Sequence, residues 1–270
     1  MKNLKVGICG WGNVATGLFK AINNNADAIE FNSGACLSIE VIGARRDNPK
    51  CDPGKTLIER DIFAVLDHDI VVELIGGVEV ARDLILKAIK NKKHVVTANK
   101  AVIYHHGDEI FQSAKDNGVR VLFESSVCAG TPIIKLLKEE LAANKVSKIS
   151  GMLNGTSNFI LSNMEDGGDF DSTLKLAQEE GYAEPDPTFD IEGMDAAHKI
   201  GILSSLAFGT SLPPSDFHIE GITKIKKSDF HYAMDMGYTV KHLAVAKLDN
   251  GMVELRAHPA LINLKSHLAN

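Results

Sequence analysis

Acidic side chains are concentrated in one short stretch of the chain, residues 182–199, which ends in a lysine. Two prolines stiffen its start, and from about Gly193 the apolar spacing predicts a helix with Asp195 and Lys199 one turn apart on the same face. Such a segment is suited to hold an ammonium group and deliver a proton, although a surface ion pair would explain the same residues. The five carboxylates and the lysine are Glu184, Asp186, Asp190, Glu192, Asp195 and Lys199.

A glycine-rich turn follows the first predicted strand, residues 4–9, and leads into a helical pattern. This order of strand, turn and helix is the context of a dinucleotide-binding fingerprint. The first glycine permits a tight turn, the second lets the backbone approach a pyrophosphate, and a small third residue packs the helix on the strand. The residues that we expect to form this phosphate site are Gly10, Gly12, Asn13, Val14 and Ala15.

The second predicted strand, residues 39–44, ends in Arg45, Arg46 and Asp47. Arginine at this position suits the 2′-phosphate of NADP, whereas an acidic residue would hold the ribose 2′-hydroxyl of NAD. The two arginines therefore favour NADP, and NAD held by Asp47 is the alternative. The preceding residues, 23–38, are predicted to form an inserted loop.

Further strands are predicted at 69–74, 94–97 and 119–123, with helices at 79–91 and 101–117 between them. This alternation is typical of a Rossmann-like, doubly wound parallel sheet of the α/β class. Ligands bind at the carboxyl ends of such strands. The strand-end residues that we expect at the cofactor are Gly76, Thr97, Ala98 and Lys100.

The chain changes rhythm after residue 132, where a loop rich in small residues leads into a predicted helix, 133–143. Helices near 171–180 and 193–209 follow, with irregular Phe/His-rich sequence after Pro213-Pro214. Strands are predicted at 146–153, 238–247 and 252–257. We therefore expect a Rossmann domain over 1–132 and an α+β substrate domain over 133–270.

Composition narrows the class of protein further. The 270 residues carry a net charge of −6, which argues against nucleic-acid binding. Four scattered cysteines without a CxxC pair indicate thiols in a reducing compartment. We see no signal peptide and no apolar run of membrane-spanning length, so we expect a cytoplasmic protein that is not bound to a membrane.

Several motifs in order resemble those of the homoserine dehydrogenases, and the resemblance extends over the whole chain. They are 10–15 (Gly-Trp-Gly-Asn-Val-Ala), 72–77, 96–101, 123–133, 153–156 (Leu-Asn-Gly-Thr) and 182–199. The resemblance implies NAD(P)-dependent interconversion of L-homoserine and L-aspartate 4-semialdehyde, in threonine and methionine biosynthesis. It also implies a homodimer formed through the second domain.

The resemblance further implies a role for individual residues. Lys199 is similar to the lysine that exchanges a proton with the substrate oxygen, assisted by Lys100 near the nicotinamide. The residues that correspond to the family's substrate site are Glu184, Asp190, Asp195, Thr156 and Gly155. Glu124 with the backbone of Val127, Ala129 and Thr131 resembles the family's sodium-binding loop.

Three features depart from the family pattern. Ala15 and Cys128 stand where the family often has glycine. Family members also continue beyond the position of Asn270, with a Gly-rich segment that returns to the cofactor and often with a regulatory domain. An NADP-binding fragment without turnover is therefore the alternative hypothesis.

Overall fold

Two β-sheets, one in each half of the chain, organise the computed structural model, which describes residues 2–214 and 216–269. Contacts within the chain separate two units, Met1–Ile133 and Ile134–Asn270. Among the described residues, no helix is both long and apolar enough to cross a bilayer.

The sheet of the first unit is parallel and six-stranded, in the order β3-β2-β1-β4-β5-β6. This order confirms the predicted Rossmann-like fold, because the strand order reverses between β1 and β4. The strands are β1 (Lys2–Cys9), β2 (Ala35–Gly43), β3 (Leu57–Glu59), β4 (Ile70–Glu73), β5 (His94–Thr97) and β6 (Val121–Leu122). The helices are α1 (Asn13–Asn24), α2 (Ala26–Ser33), α3 (Glu79–Lys90) and α4 (Lys100–Asn117).

Apolar packing explains why α1 lies on the centre of this sheet. Ile8 and Ile42 are fully buried in the strands, and α1 places Ala15 and Phe19 against the same core. The small Ala15 side chain allows the helix to approach the strand closely. Val14, one of the predicted phosphate-site residues, is 61% exposed at the first turn of the helix and lies outside this core.

The segment 23–38, predicted as a loop, is mostly regular. It forms α2 and the first residues of β2, and Gly34 ends α2 in the left-handed conformation with φ of 69°. None of its residues is fully buried, and Phe31 is 89% exposed, so this helix packs only loosely on the unit. The asparagine cluster indicates a turn, but the intervening Ala and Glu residues favour a helix, and the glycine completes it.

The sheet of the second unit is four-stranded, in the order β7-β9-β10-β8, and is mixed because β8 pairs parallel to β10. Its strands are β7 (Lys148–Gly151), β8 (His218–Ile219), β9 (Tyr238–Asp249) and β10 (Met252–Asn263). Its helices are α5 (Ile133–Lys135), α6 (Gly155–Glu165), α7 (Phe170–Glu179), α8 (Thr188–Ile191), α9 (Met194–Phe208) and α10 (Lys227–Asp235).

Several boundaries predicted in this unit were wrong. The helix expected over 133–143 is the short α5, which continues as a π-helical segment over Leu136–Glu140. The region expected to be irregular contains β8 and α10, and the backbone N–H of Lys226 donates to Asp229 Oδ2 at 2.8 Å to start α10. The strand β8 pairs with β10, and α10 packs beside β9. Both elements are therefore defined by contacts with residues far away in the sequence.

Helix α9 is the element that positions the acidic stretch. Gly193 begins it with φ of 83°, and small residues on its inner face, including Ala196 and Ala197, pack against the alanines of β9 and β10. Small facing side chains let the helix lie close to the sheet. Asp195 and Lys199 are therefore fixed on a rigid, mostly buried helix.

Candidate functional site

A cavity of about 520 Å³ lies at the carboxyl ends of β1, β2 and β4 in the first unit. Cys9 is in register with both Gly43 and Glu73, so the three strands end at the same level below it. This is the point where the strand order reverses, the usual ligand position in such a sheet. The residues lining the cavity include Gly10, Trp11, Gly12, Arg45, Arg46, Asp47, Leu74, Ile75, Gly76 and Val80.

The two glycines of the turn have different physical roles. Gly10 has φ of 107°, and a Cβ on it would lie 2.5 Å from the Leu74 carbonyl oxygen, so only glycine fits there. Gly12 has open space around it and is the N-cap residue of α1. The first turn of α1 contains no acidic residue and no side chain caps it. The helix N-terminus is therefore suited to bind a phosphate.

A third arginine, Arg60, lies close to the predicted 2′-phosphate residues. Its Nη2 donates to Asp47 Oδ1 at 2.7 Å and its Nη1 to the Ala44 carbonyl at 3.4 Å. No sequence pattern points to Arg60, because it follows β3, a strand too short to be recognised. The guanidinium pairs with Asp47, the carboxylate that the alternative hypothesis assigned to the ribose of NAD.

A buried carboxylate, Glu73, ties the strand ends together. It is fully buried and accepts hydrogen bonds from Thr97 Oγ1 at 2.6 Å and from Ile75 N at 3.0 Å. Burial, and second the charge of Glu73, raise the pKa of the Cys9 thiol to about 12. The hydroxyl of Thr97 is thus committed to the strand-end network. Sequence reasoning did not single out Glu73, because it lies within an apolar run.

The predicted residues Ala98 and Lys100 lie at the start of α4. Asn99 is the N-cap residue, and its Oδ1 accepts from Val102 N at 3.2 Å while its Nδ2 donates to the Gly77 carbonyl at 2.7 Å. Asn99 therefore connects the loop after β4 with the loop after β5. Lys100 is half-buried on the first turn of the helix.

The predicted ion-binding residues Glu124, Val127, Ala129 and Thr131 lie on one loop that contains a 3₁₀ turn, Glu124–Ser126. The Thr131 carbonyl accepts from Ile133 N at 2.8 Å, and Gly130 turns the loop with φ of 85°. Across residues 2–214 and 216–269, no group of three His, Cys, Asp or Glu side chains forms a metal site. An ion here would therefore be held mainly by backbone carbonyl oxygens.

The second unit contains the lysine–carboxylate pair expected from the spacing. Lys199 Nζ lies 2.8 Å from Asp195 Oδ2 and also donates to the Leu153 carbonyl at 2.8 Å. The side chains of Asp195 and Lys199 are only 3% and 18% exposed. The interpretation as a surface ion pair is therefore wrong, because a pair this deep is not solvated on a helix face.

Two residues from the loop after β7 connect this pair to Asp190. Asn154 Nδ2 donates to Asp190 Oδ1 at 2.7 Å and to Asp195 Oδ2 at 2.8 Å. The Thr156 hydroxyl donates to the Tyr182 carbonyl at 2.6 Å and lies 3.4 Å from Asp190 Oδ2. By resemblance the 153–156 motif supplied Gly155 and Thr156 to the substrate site but assigned no role to Asn154, and no local signal links Asn154 to carboxylates so far along the chain.

The remaining acidic residues of 182–199 are outside this cluster. Glu184 is exposed, and in the part of the chain that the structure describes its hydrogen bond is through its carbonyl, which accepts from Gln178 at 3.2 Å. Asp186 accepts from Thr188, whose hydroxyl lowers the pKa of that carboxyl. Glu192 accepts from Thr223 at 3.1 Å. Of the five carboxylates, Asp190 and Asp195 are therefore the two that the fold brings together.

The cluster can bind a cation and move a proton. An ammonium has three N–H donors, and the described contacts of Lys199 use two of them, which leaves one direction for a substrate oxygen. Two carboxylates beside it are suited to a substrate ammonium.

Comparison with known proteins gives the same family for both halves of the chain. A family model described as homoserine dehydrogenase matches residues 132–270, and one described as homoserine dehydrogenase, NAD binding domain, matches residues 10–124. The chain is 51% identical over 274 residues to a homoserine dehydrogenase of Pseudomonas aeruginosa, covering 100% of this chain and 63% of that protein.

Solved structures agree with this match. A homoserine dehydrogenase of Thiobacillus denitrificans is 45% identical with a TM-score of 0.95, covering 100% of this chain and 64% of that one. A homoserine dehydrogenase of S. aureus, solved at pH 6.0, is 37% identical with a TM-score of 0.84, covering 100% and 69%. The chain spans 63% of the length of the curated P. aeruginosa and Neisseria gonorrhoeae relatives.

Proposed function

The chain belongs to the homoserine dehydrogenase family, and we propose that it interconverts L-homoserine and L-aspartate 4-semialdehyde with NADP. The observation that carries the proposal is the cluster of the buried Asp195 and the half-buried Lys199 and Asp190 around the buried Asn154. It lies in the unit matched by the family model described as homoserine dehydrogenase, residues 132–270. An alcohol oxidation needs a group that takes the hydroxyl proton, and an amino-acid substrate needs carboxylates for its ammonium.

The chemistry of each group suggests its role in the proposed reaction. A bound nicotinamide cofactor accepts or supplies the hydride. Lys199 takes the hydroxyl proton when homoserine is oxidised and returns a proton to the carbonyl oxygen in the reverse direction, with Lys100 assisting. Asp190 and Asp195 hold the substrate ammonium, with Glu184, Gly155 and Thr156 around it, so that the reacting carbon stays oriented.

Support for NADP as the cofactor comes from three arginines at the end of β2 and after β3. Arg45 and Arg46 line the cavity with exposed side chains, which suits contact with a 2′-phosphate. Arg60 pairs with Asp47 at 2.7 Å. This pairing neutralises the carboxylate that would otherwise accept from a ribose 2′-hydroxyl and repel a phosphate. Gly10, Gly12, Asn13, Val14, Ala15 and Gly76 would hold the rest of the cofactor with Thr97 and Ala98.

The loop 124–131 is proposed to bind a sodium ion. Its donors are one carboxylate, Glu124, and the carbonyls of Val127, Ala129 and Thr131, and such oxygen ligands fit a hard cation. The Thr131 carbonyl already accepts from Ile133 N, so the ion would share that oxygen. Retention of the ion after gel filtration, measured by atomic emission, tests this assignment.

A homodimer formed through the second unit is also proposed, by similarity to the family. Its mass in solution, measured by sedimentation, tests the assembly. We further propose a cytoplasmic location, where the four free cysteines would stay reduced.

The experiment that tests the function is reduction of NADP by this chain with L-homoserine at alkaline pH, followed by the absorbance of the reduced nicotinamide. L-Serine and L-threonine are the matched substrates, because they share the α-amino and carboxyl groups. Reduction that depends on homoserine would support the proposal. Measurable NADPH binding without reduction would overturn it and favour the alternative, a nucleotide-binding fragment.

A further inference from the structure

Every polar group of the Asn154 side chain makes a hydrogen bond. It is 6% exposed, and its Oδ1 accepts from Ser157 N at 2.7 Å, which caps α6. Its two amide hydrogens go to Asp190 and Asp195. A flipped amide would point an oxygen at two carboxylates and an N–H group at a backbone N–H, so the hydrogen-bond network fixes one orientation.

This arrangement holds two like charges close together. One nitrogen lies within 2.8 Å of an oxygen of each carboxylate, so Asp190 and Asp195 are separated by two hydrogen bonds. Neighbouring carboxylates in a buried site repel one another unless donors compensate them. The donors that compensate these carboxylates include the amide of Asn154, the Thr156 hydroxyl at 3.4 Å from Asp190 Oδ2, and the ammonium of Lys199 on α9.

Leu153, the residue before Asn154, also contacts Lys199. The Leu153 carbonyl accepts from Lys199 Nζ, while the Asn154 side chain donates to Asp195, the other partner of that lysine. Two consecutive residues therefore hold the ammonium and its carboxylate from the same side. A displacement of this turn would move the lysine and both carboxylates together.

We propose that Asn154 is a positioning residue, whose amide sets Asp190 and Asp195 in the geometry that binds the substrate ammonium and orients Lys199 for proton transfer. This inference rests on the proposed function. Its alternative is that Asn154 serves only as the N-cap of α6, a role that aspartate and serine fill equally well.

Two substitutions separate the roles, because both keep a capping oxygen. Asn154→Asp replaces the amide by a third carboxylate, and Asn154→Ser is too short to reach the other two. Asp169→Asn is the matched control, since Asp169 caps α7 at an exposed position by accepting from Ser172 N at 3.0 Å. It makes the reverse exchange of amide and carboxylate away from the cluster.

The kinetic arm measures kcat and the KM for L-homoserine with saturating NADP. We expect kcat to fall by roughly 10²-fold in Asn154→Asp and roughly tenfold in Asn154→Ser, on the scale of general acid–base catalysis. The pH of half-maximal oxidation should move upward in Asn154→Asp, because an added negative charge favours the protonated ammonium. The control should keep the wild-type kcat and pH profile.

The stability arm does not depend on turnover and uses the Tm between pH 8 and pH 5. Three adjoining carboxylates repel at high pH, so Asn154→Asp should have a lower Tm than wild type at pH 8 and recover part of the difference at pH 5. The deficit of Asn154→Ser should shrink less between pH 8 and pH 5, because it leaves two adjoining carboxylates rather than three without the amide donor. Equal Tm values for Asn154→Asp and wild type at both pH values, with unchanged kcat, would overturn the proposal. Asn154 would then serve only as the N-cap of α6. Wild-type protein without homoserine-dependent reduction would refute the proposed function instead, while the Tm comparison would still decide whether Asn154 holds the carboxylates.

Discussion

The two candidate sites of this chain are built from different materials. The cavity in the first unit is shaped largely by backbone, with Gly10 and Gly12 at a helix N-terminus and strand ends in register below it. The cluster in the second unit is made of side chains, Asn154, Asp190, Asp195 and Lys199, from separate segments. A backbone site depends on conformation and open space, whereas a side-chain site depends on mutual hydrogen bonds. Substitutions should therefore affect the two in different ways.

The largest expected effect is that of Lys199→Met. Removing the ammonium while keeping the length of the side chain should lower kcat by roughly 10²–10⁴-fold, the usual contribution of a general acid–base group. NADPH affinity, measured by fluorescence titration, should stay within a factor of two or so, because the residues proposed to hold the cofactor belong to the first unit.

The control for this substitution is Lys175→Met. Lys175 also forms an i,i+4 pair, with Glu179 at 3.8 Å, but its side chain is 77% exposed. It should keep normal turnover. Normal turnover in Lys199→Met would refute the proton-transfer role and with it the contrast between a buried and a solvated pair.

A series of glycine-to-alanine substitutions tests whether the first site is a backbone site. Gly10→Ala forces a Cβ within 2.5 Å of the Leu74 carbonyl at φ of 107°, so it should cost about 1–3 kcal/mol of unfolding free energy and also abolish cofactor binding. Gly12→Ala meets nothing within 4 Å and should fold normally, yet weaken NADPH binding by roughly tenfold through close approach to the phosphates.

Gly17→Ala is the internal control of this series. Gly17 lies within α1 and has open space around it, so alanine should raise stability by about 0.5–1 kcal/mol and leave binding unchanged. Urea unfolding and NADPH titration separate the three outcomes. If Gly12→Ala binds NADPH as wild type does, the backbone does not approach the phosphates there.

The arginines at the end of β2 are side-chain contacts within the backbone site. Changing Arg45 and Arg46 together to Ala should raise the KM for NADP at least tenfold more than the KM for NAD, since charge-assisted bonds to the 2′-phosphate are lost. Arg60→Ala should shift the preference toward NAD by a smaller factor, because it releases Asp47.

The control for the arginine variants is Lys20→Ala, which removes one exposed positive charge from α1. It should leave the ratio of the two KM values unchanged. Equal effects of Arg45→Ala/Arg46→Ala on NADP and NAD would contradict recognition of the 2′-phosphate.

The difference between the sites also explains how much the sequence could reveal. The Rossmann-like fold of the first unit was predicted because its signals are local: apolar runs such as residues 6–9, and the glycine turn that follows. The helix α2 was missed because its asparagines indicate a turn, and β3 and β8 because strands of two or three residues leave no period to read.

The second site could be predicted only in part. The spacing of Asp195 and Lys199 shows their pairing, because four residues make one helical turn. Asn154 lies 36 and 41 residues from the carboxylates that it holds, and nothing in its own neighbourhood encodes those partners. The sequence also does not show that Asp195 and Lys199 are largely buried. This burial is what distinguishes them from the exposed pair of Lys175 and Glu179.

The smallest expected effect concerns His242, which packs under the start of α9. A Cβ on Gly193 would lie 3.1 Å from its Nε2, and that nitrogen is 2.9 Å from the Glu220 carbonyl. Burial lowers the pKa of His242 below its usual value of 6.5. As pH falls through 6.5 the unfolded chain takes up a proton that the folded chain refuses, so stability is full above that pH and declines below it.

His242→Gln should therefore flatten the fall in unfolding free energy between pH 7 and pH 5, by at most about 1 kcal/mol. Urea unfolding at several pH values measures this slope. His231→Gln is the matched control, since His231 is 77% exposed and lies 3.7 Å from Asp235. An identical slope in wild type and His242→Gln would mean that protonation of His242 does not loosen the start of α9. The acidic stretch would then be held by its side-chain hydrogen bonds alone.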